Sequence, residues 1–384
     1  MNVLITGGAG FIGSHLADGL IERGYEVRVF DNLEPQVHKT KVKPAYLNKK
    51  VKFIRGDVKN RKDLNKALDG VDAVFHFAAN VGIGQSQYQP RRYVETNLMG
   101  TANLIEALIE RRSKSARVVM AGSMSVYGEG DGFCPEHKLV RPKTHRREKD
   151  MAAGKWEPRC PFCDRFLDPR PVTEDSCPNP VSVYAVTKLS QEQMMLSAGA
   201  AHGLAVTSLR FFNVYGARQA LSNPYTGVAA IFISRIKHGR RPVVFEDGAQ
   251  TRDFVHVSDV VRACIAAIER DEAVGEVINV GTGKATSVAD VAEIIEKTMG
   301  SDIKTEITRR FRKGDVRHCI AGITLAKRIL NFKPRVSLED GFKELAEWAA
   351  GETCEDLFDD AHSELVGKGL APKLVKKSVT KKNR

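Results

Sequence analysis

A glycine-spaced turn between an apolar strand and a helix constrains this chain more than any other feature. Val3-Leu4-Ile5 is a short run of β-type residues. Thr6-Gly7-Gly8-Ala9-Gly10-Phe11-Ile12-Gly13 follows, then the helical pattern Ser14-His15-Leu16-Ala17-Asp18-Gly19-Leu20-Ile21. Gly7 permits a tight turn, Gly10 leaves room for a pyrophosphate against the backbone, and Gly13 allows close helix packing. The free N–H groups and dipole of the helix start then receive a phosphate. A second strand, Glu26-Val27-Arg28-Val29-Phe30, ends in Asp31-Asn32, with Asp31 eighteen residues after Gly13. An acid there binds both hydroxyls of an adenosine ribose and repels a 2′-phosphate, so the expected cofactor is NAD rather than NADP.

The alternation continues. Residues 51–57 read as a third strand, with Asp57 at its end placed for the adenine amino group. Residues 73–79 read as a fourth, with Phe77, Ala78 and Ala79 leaving the backbone open to a cofactor. Asn97 to Arg111 has helical spacing, and 118–123 is a fifth strand. Strands alternating with helices predict an α/β fold, a Rossmann-type doubly wound parallel sheet. A smaller α/β substrate part follows. The predicted division is 1–210 for NAD, with an insertion at 129–172, then 211–351 interleaved with it for the substrate, then an extension, 352–384. In the second part, 287–299 reads as an amphipathic helix capped by Ser287, and Phe342-Leu345-Trp348-Ala349 reads as the last packed helix. Val243-Val244-Phe245 is placed to pack on a nucleotide base.

Tyr184-Ala185-Val186-Thr187-Lys188 puts a phenol and an ammonium at i and i+4, on one face of a predicted helix. An ammonium beside a phenol favours the phenolate and lowers its pKa from about 10, making a base usable near neutral pH.

With these pieces the chain resembles the extended short-chain dehydrogenase/reductase family, in its nucleotide-sugar epimerase and dehydratase branch. The matching segments are TGGAGFIGSHL at 6–16, HFAA at 76–79, the stretch ending in Asn97, AGSMSVYG at 121–128, YAVTK at 184–188, RFFNVYG at 210–216 and TRDFVHVSD at 251–259. The resemblance implies Tyr184 as base, Lys188 as its partner and ribose clamp, and Ser123 as the third hydrogen-bonding member. It implies a cofactor wall that adds Phe11, Ile12, Asn32, Val58, Asn97 and Phe211 to the residues above. Asn213 is implied to bind the diphosphate of a nucleotide sugar, with Arg252, Arg312 and Asp315 on its phosphates and ribose; Ser86, Ser125 and Arg218 complete the substrate set. Guanidinium forks suit a diphosphate.

In the 4,6-dehydratases of this branch an Asp-Glu pair follows the catalytic Ser or Thr and serves elimination. Here Met124 and Ser125 stand there. Neither takes a proton from C5, so the expected reaction is 4-epimerisation through a 4-keto sugar, with NAD retained between turnovers. An insertion separates Ser123 from Tyr184. It carries Cys134-Pro135-Glu136-His137 and Cys160-Pro161-Phe162-Cys163, a Cys₃His set suited to a structural zinc, with Cys177 as a substitute ligand. The insertion and Asn223-Pro224-Tyr225-Thr226-Gly227 resemble the dTDP-L-rhamnose 4-epimerases; the alternatives are UDP-hexose and UDP-hexuronate 4-epimerases.

The net charge of +12 invites a nucleic-acid reading. However, Lys368 to Arg384 holds seven Lys/Arg and no acid, so the excess sits mostly in a tail that reads as solvated. Aromatics are only 7%, and no stacking or recognition-helix motif is present. A silent NAD-sensing module is disfavoured by the intact Ser123, Tyr184 and Lys188. Seven cysteines, an odd number, argue against a disulfide scaffold, and Cys264 and Cys319 read as small buried hydrophobes. No apolar run approaches the ~18 residues of a membrane span, and no leader precedes Val3, so the expectation is a cytoplasmic homodimer acting on a nucleotide sugar, without membrane or nucleic-acid partners.

Overall fold

Seven parallel strands form one sheet in the computed structural model, which describes residues 1–111, 116–142 and 146–372. They are β1 (Asn2–Thr6), β2 (Glu26–Asp31), β3 (Lys52–Arg55), β4 (Ala73–His76), β5 (Arg117–Ser123), β6 (Ala205–Phe211) and β7 (Val277–Val280). The spatial order is β7-β6-β5-β4-β1-β2-β3. Strand order reverses between β1 and β4, and a doubly wound sheet opens its ligand crevice there.

Both faces of the sheet are covered, which is why its strands read as continuous apolar runs. On one face Val3 and Ile5 pack with Leu16, Ala17 and Leu20 of α1 (Phe11–Glu22) and with Val260 and Cys264. On the other, Leu4 packs with Val74, Val118 and Met120, and with Leu104, Ala107 and Leu108 of α2 (Gly100–Glu110) and Met195 of α3 (Val183–His202). Each large side chain so buried contributes about 1.5–3 kcal/mol. Val260 and Cys264 lie on α4 (Val257–Glu269), so the second part of the chain returns to the first, adding α4 and β7 to it. The remaining core joins Phe232 and Ile233, Val291 and Ile295 of α5 (Val288–Thr298) and Phe342 and Leu345 of α6 (Leu338–Ala350) around Tyr215 and Phe254. Ser287 caps α5 as expected, accepting from Asp290 N while Asp290 accepts from Ser287 N.

Two expectations need correction. The helical stretch begins before Asn97, at Pro90, and passes through a π-helical segment, Val94–Met99, in which Asn97 is buried, before α-helix resumes over Gly100–Glu110. The α6 helix is also not the last packed one. A further helix, α7 (Phe358–Gly367), buries Phe358, Ala361, His362 and Leu365. The basic positions from Lys373 onward lie outside the described residues.

His76, at the end of β4, bridges Thr6 Oγ1 (2.8 Å) and Thr101 Oγ1 (2.9 Å) and is buried. Burial pulls its pKa down to about 3. The unfolded chain binds a proton below about pH 6.5 and the folded chain does not, so this contribution is full above that pH and is lost as pH falls toward 3. At pH 5 the loss is about 2 kcal/mol. His76→Asn is therefore expected to unfold earlier than the parent near neutrality but to lose less stability in acid. Thermal unfolding at the two pH values tests this, and equal acid losses would exclude His76.

Candidate active site

A cavity of about 740 Å³ opens beyond the carboxyl ends of the strands. Gly7, Gly10, Phe11, Ile12 and Gly13 line it, with Asp31, Asn32, Asp57, Val58, Phe77, Ala78, Ala79 and Phe211. Gly7 sits at φ +69°, and a Cβ there would lie 2.8 Å from Ala78 N. A Cβ at Gly13 would lie 2.6 Å from Gly8 Cα, so this glycine lets α1 start directly over the turn. Gly10 caps α1 without a side-chain bond, which leaves first-turn N–H groups for a ligand. Asp31 accepts from Ala9 N (3.0 Å) and Leu33 N (2.8 Å), and burial raises its carboxyl above the usual range. Each carboxylate oxygen keeps a lone pair for a ribose hydroxyl. Asn32 Nδ2 donates to Asp57 Oδ2 (3.1 Å) at the adenine end. The cradle and acid fit a dinucleotide with a free 2′-hydroxyl.

Tyr184 stands in the first turn of α3, which Ser182 caps through Ala185 N (3.1 Å). Ser123, ending β5, lines the cavity with Tyr184 and shares a hydrogen bond with Ser125 Oγ (2.9 Å). Lys188 lies one turn further along the same face, buried, and both it and Tyr184 line the cavity. The Lys188 ammonium donates to Gln191 Oε1 (2.8 Å), and Gln191 Nε2 donates to Thr101 Oγ1 (2.8 Å). Burial pulls the Lys188 pKa down to about 8. The Tyr184 pKa is instead raised by burial, partly opposed by Ser123. The expected depression of the phenol by Lys188 is therefore not seen: burial governs Tyr184, and the ammonium hydrogen-bonds Gln191 instead.

The other end of the cavity is built by distant segments. Asn213, Arg252, Arg312 and Asp315 line it, as does Ser125. Arg252 donates to Thr251 O (2.8 Å), Arg317 O (3.0 Å) and Val316 O (2.6 Å), and burial lowers its pKa. The other guanidinium N–H groups of Arg252 find no partner among the described residues, which suits an anion. Arg312 lies over the Phe245 ring (4.4 Å to its centroid) and donates to Asp315 Oδ2 (2.8 Å). Asn213 Oδ1, Gln219 Oε1 and Gln250 Oε1 are buried in this wall without protein partners. Gln219 and Gln250 escaped the sequence reading, as an isolated Gln carries no pattern. Phe358, Ala361, His362 and Leu365 of α7 also line the cavity, and Phe245 packs near His362 (ring centroids 5.8 Å). The sequence predicts a short acidic helix over 352–366, but not that its apolar side lines the cavity.

Three residues expected at the ligand do not line the cavity. Ser86 is wholly buried outside the cavity wall, accepting from Tyr184 N (3.0 Å), so it anchors α3. Asn97 is buried between Asn80 N (2.8 Å) and Thr187 Oγ1 (2.9 Å), behind the wall. Arg218 points away and donates to Asp18 Oδ2 (2.7 Å) on α1.

In the insertion, Cys134, His137, Cys160 and Cys163 bring their ligand atoms within 4.8 Å of one another. Cys134 Sγ lies 3.6 Å from His137 Nδ1 and 3.5 Å from Cys163 Sγ, and Cys160 Sγ 3.6 Å from His137 Nδ1. A tetrahedron with metal–sulfur bonds of about 2.3 Å has edges near 3.7 Å, so the set fits a zinc ion. Cys177 is exposed, beside Pro178 O, and does not join the group.

No helix among the described residues is long and apolar enough to cross a membrane. The chain is 34% identical over 353 residues to a dTDP-L-rhamnose 4-epimerase of Burkholderia thailandensis, covering 91% of this chain and 95% of that one. A Thermotoga maritima UDP-glucose 4-epimerase solved with UDP-glucose superposes with a TM-score of 0.74 at 32% identity, over 91% of this chain and 99% of that one. A Bacillus cereus UDP-glucuronic acid 4-epimerase solved with UDP-glucuronic acid and NAD gives 0.74 at 29%, with the same coverage. The sequence profile of the NAD dependent epimerase/dehydratase family matches residues 3–149 and 166–281, leaving out the stretch that holds Cys160 and Cys163. With the glycine cradle, the Ser123–Tyr184–Lys188 group and these matches together, the chain belongs to the NAD dependent epimerase/dehydratase family and is a nucleotide-sugar epimerase of that family.

Proposed function

We propose that this enzyme inverts C4 of a nucleotide sugar, with dTDP-L-rhamnose as the leading substrate. The observation that carries the reading is the pairing of an intact Ser123, Tyr184 and Lys188 with Met124 and Ser125 where elimination needs acids. Tyr184 takes the proton of the sugar 4-hydroxyl, and Ser123 holds that oxygen through its own hydroxyl. NAD⁺, which the glycine cradle, Asp31 on the adenosine ribose and Lys188 on the other ribose would hold, would supply the hydride acceptor for C4 and a positive charge beside the phenol. Tyr184 then gives the proton back, and the net redox change is zero. Without a C5 base, the 4-keto sugar survives to be reduced again.

The likeness to the dTDP-L-rhamnose 4-epimerase supports a 6-deoxyhexose. Against a C6 carboxylate, the cavity segments 81–84, 124–125, 213–214 and 223–228 carry no cation, and Arg92, which also lines the cavity, is engaged by Glu34 and Gln89. The likeness to enzymes solved with UDP-glucose and UDP-glucuronic acid supports the second reading, a UDP-hexose or UDP-hexuronate substrate. Cys134, His137, Cys160 and Cys163 hold one structural zinc, because four protein ligands leave no open coordination position for chemistry.

Tyr184→Phe is expected to lower turnover by about 10²–10⁴-fold while NAD remains bound, as read by absorbance of the purified protein. Activity near that of the parent would remove Tyr184 from the role of base. With dTDP-L-rhamnose, UDP-glucose and UDP-glucuronic acid offered separately, NMR should detect the C4 epimer of the first. A deuterium at C4 should be retained in the product, whereas exchange of the C5 hydrogen with solvent at the turnover rate would indicate dehydration chemistry. Elemental analysis of protein prepared with reductant and without chelator should find one zinc per chain, and a metal-free result would defeat that assignment.

A further inference from the structure

The Cys/His group lies outside the cavity but not outside its scaffold. Three residues before Cys160, Glu157 turns into the body of the protein. Its Oε1 accepts from Arg317 Nε (3.0 Å) and Nη2 (2.8 Å), and its Oε2 meets His318 Nε2 (2.8 Å). His318 Nδ1 in turn meets Thr251 Oγ1 (2.7 Å). The carbonyls of Val316 and Arg317, in the same short segment, hold the Arg252 guanidinium in the cavity wall. A second tie comes from Arg146. Its five donors are all satisfied, by Glu129 Oε1, Trp156 O, both oxygens of Glu246 and Asp315 O, at 2.7–3.0 Å. Glu246 and Asp315 both line the cavity.

These groups are buried, so their geometry is stiff. The side chains of Arg146, Glu129, Glu246 and Arg317 are only 2–4% exposed. A buried ion network holds its shape only while every member keeps its partners. Within the insertion, Arg159 Nε donates to Asp150 Oδ2 (3.0 Å) and Cys160 N to Arg165 O (2.7 Å), so the metal-ligand loop and the Glu157 stretch are one piece. The small apolar cluster at the metal-ligand end has four buried members, of which two, Cys134 and Cys160, are ligands of the group, so metal binding tightens the turn that runs from Glu157 to Cys160.

We propose that the metal-bound insertion is a positioning element for Arg252, with Glu157 as its contact residue, so that metal occupancy sets the affinity of the cavity for a nucleoside diphosphate. The proposal rests on the zinc and diphosphate readings given above. Glu157 touches no substrate in this arrangement. It acts through Arg317, His318 and the carbonyls that aim Arg252, whereas the NAD cradle and Tyr184 lie on other elements.

The test uses the full chain with NAD bound. dTDP and UDP are titrated by calorimetry into the protein as purified, into chelator-stripped protein, into stripped protein given back zinc, and into Glu157→Gln with its metal intact. Stripped protein and Glu157→Gln should each bind both nucleotides about tenfold more weakly, the loss expected for a charged hydrogen-bond partner. Zinc should restore the stripped protein and leave Glu157→Gln weak. KM for the sugar nucleotide should rise in Glu157→Gln while kcat and bound NAD stay within about twofold, a split that general destabilisation would not produce. If stripping expels NAD, the Glu157→Gln arm decides alone. Full metal content with unchanged nucleotide affinity in Glu157→Gln would overturn the coupling and leave the zinc site standing. Absence of metal from the purified protein would overturn both.

Discussion

The approach of the first turn to the end of β4 governs the geometry of the site. Gly7 packs on the Phe77–Ala78 backbone so closely that a Cβ would lie within 3 Å of three of its atoms. That contact keeps Thr6 level with His76 across the β1–β4 pair, where the strand order reverses. From there a hydrogen-bonded line runs inward. Thr6 meets His76, His76 meets Thr101 on α2, Gln191 on α3 donates to Thr101, and the Lys188 ammonium donates to Gln191. Each link in the line has a donor and an acceptor if the His76 proton sits on Nε2, and the Lys188 ammonium keeps further N–H groups for a ligand. The cofactor turn and the catalytic helix are therefore joined by a buried hydrogen-bonded line.

That line also explains the electrostatics. Burial lowers the Lys188 pKa to about 8 against the opposing pull of the Glu192 carboxylate, so the ammonium stays mostly charged at neutral pH. Burial makes the Tyr184 phenol hold its proton. A cationic ligand beside the phenol reverses that bias. The base is thus strongest when the cofactor site is filled, which protects a buried phenolate from forming without a partner.

What the sequence made legible was local. The strand, turn and helix at 3–22, the acid at 31 and the i, i+4 pair at 184 and 188 depend on spacing within a few turns, and each sits in the cavity wall. The same holds for the Cys/His set, whose two halves are each a short knuckle. Residues whose role depends on packing were misread or missed. Ser86 and Asn97 carry side chains that suit a ligand, but α3 and the π-helical segment draw them inward to cap backbone. Arg218 takes a left-handed conformation at φ +65°, turning it toward Asp18 rather than the phosphates. The α7 helix depends on apolar contacts with Val243 and Phe245, more than a hundred residues earlier, and no local pattern reports such a partner.

The two ends of the cavity differ in how they are made, and this bears on how one chemistry serves several sugars. The cofactor end is mostly backbone and short-range turns, so changing it means changing the fold. The substrate end gathers side chains from Asn213, Gln219, Gln250, Arg252, Arg312 and α7, which share no secondary element. Such residues can be exchanged singly, because no strand register or helix face ties one to another. Relatives only about 30% identical that are named for different sugars fit this division. In this chain the most constrained part of the substrate end is Arg252. Its guanidinium is held by carbonyls of a segment that the buried carboxylate of Glu129 and the half-buried one of Glu157 hold in turn. A cation that must stay buried before its anion arrives needs such backing, and the insertion supplies part of it.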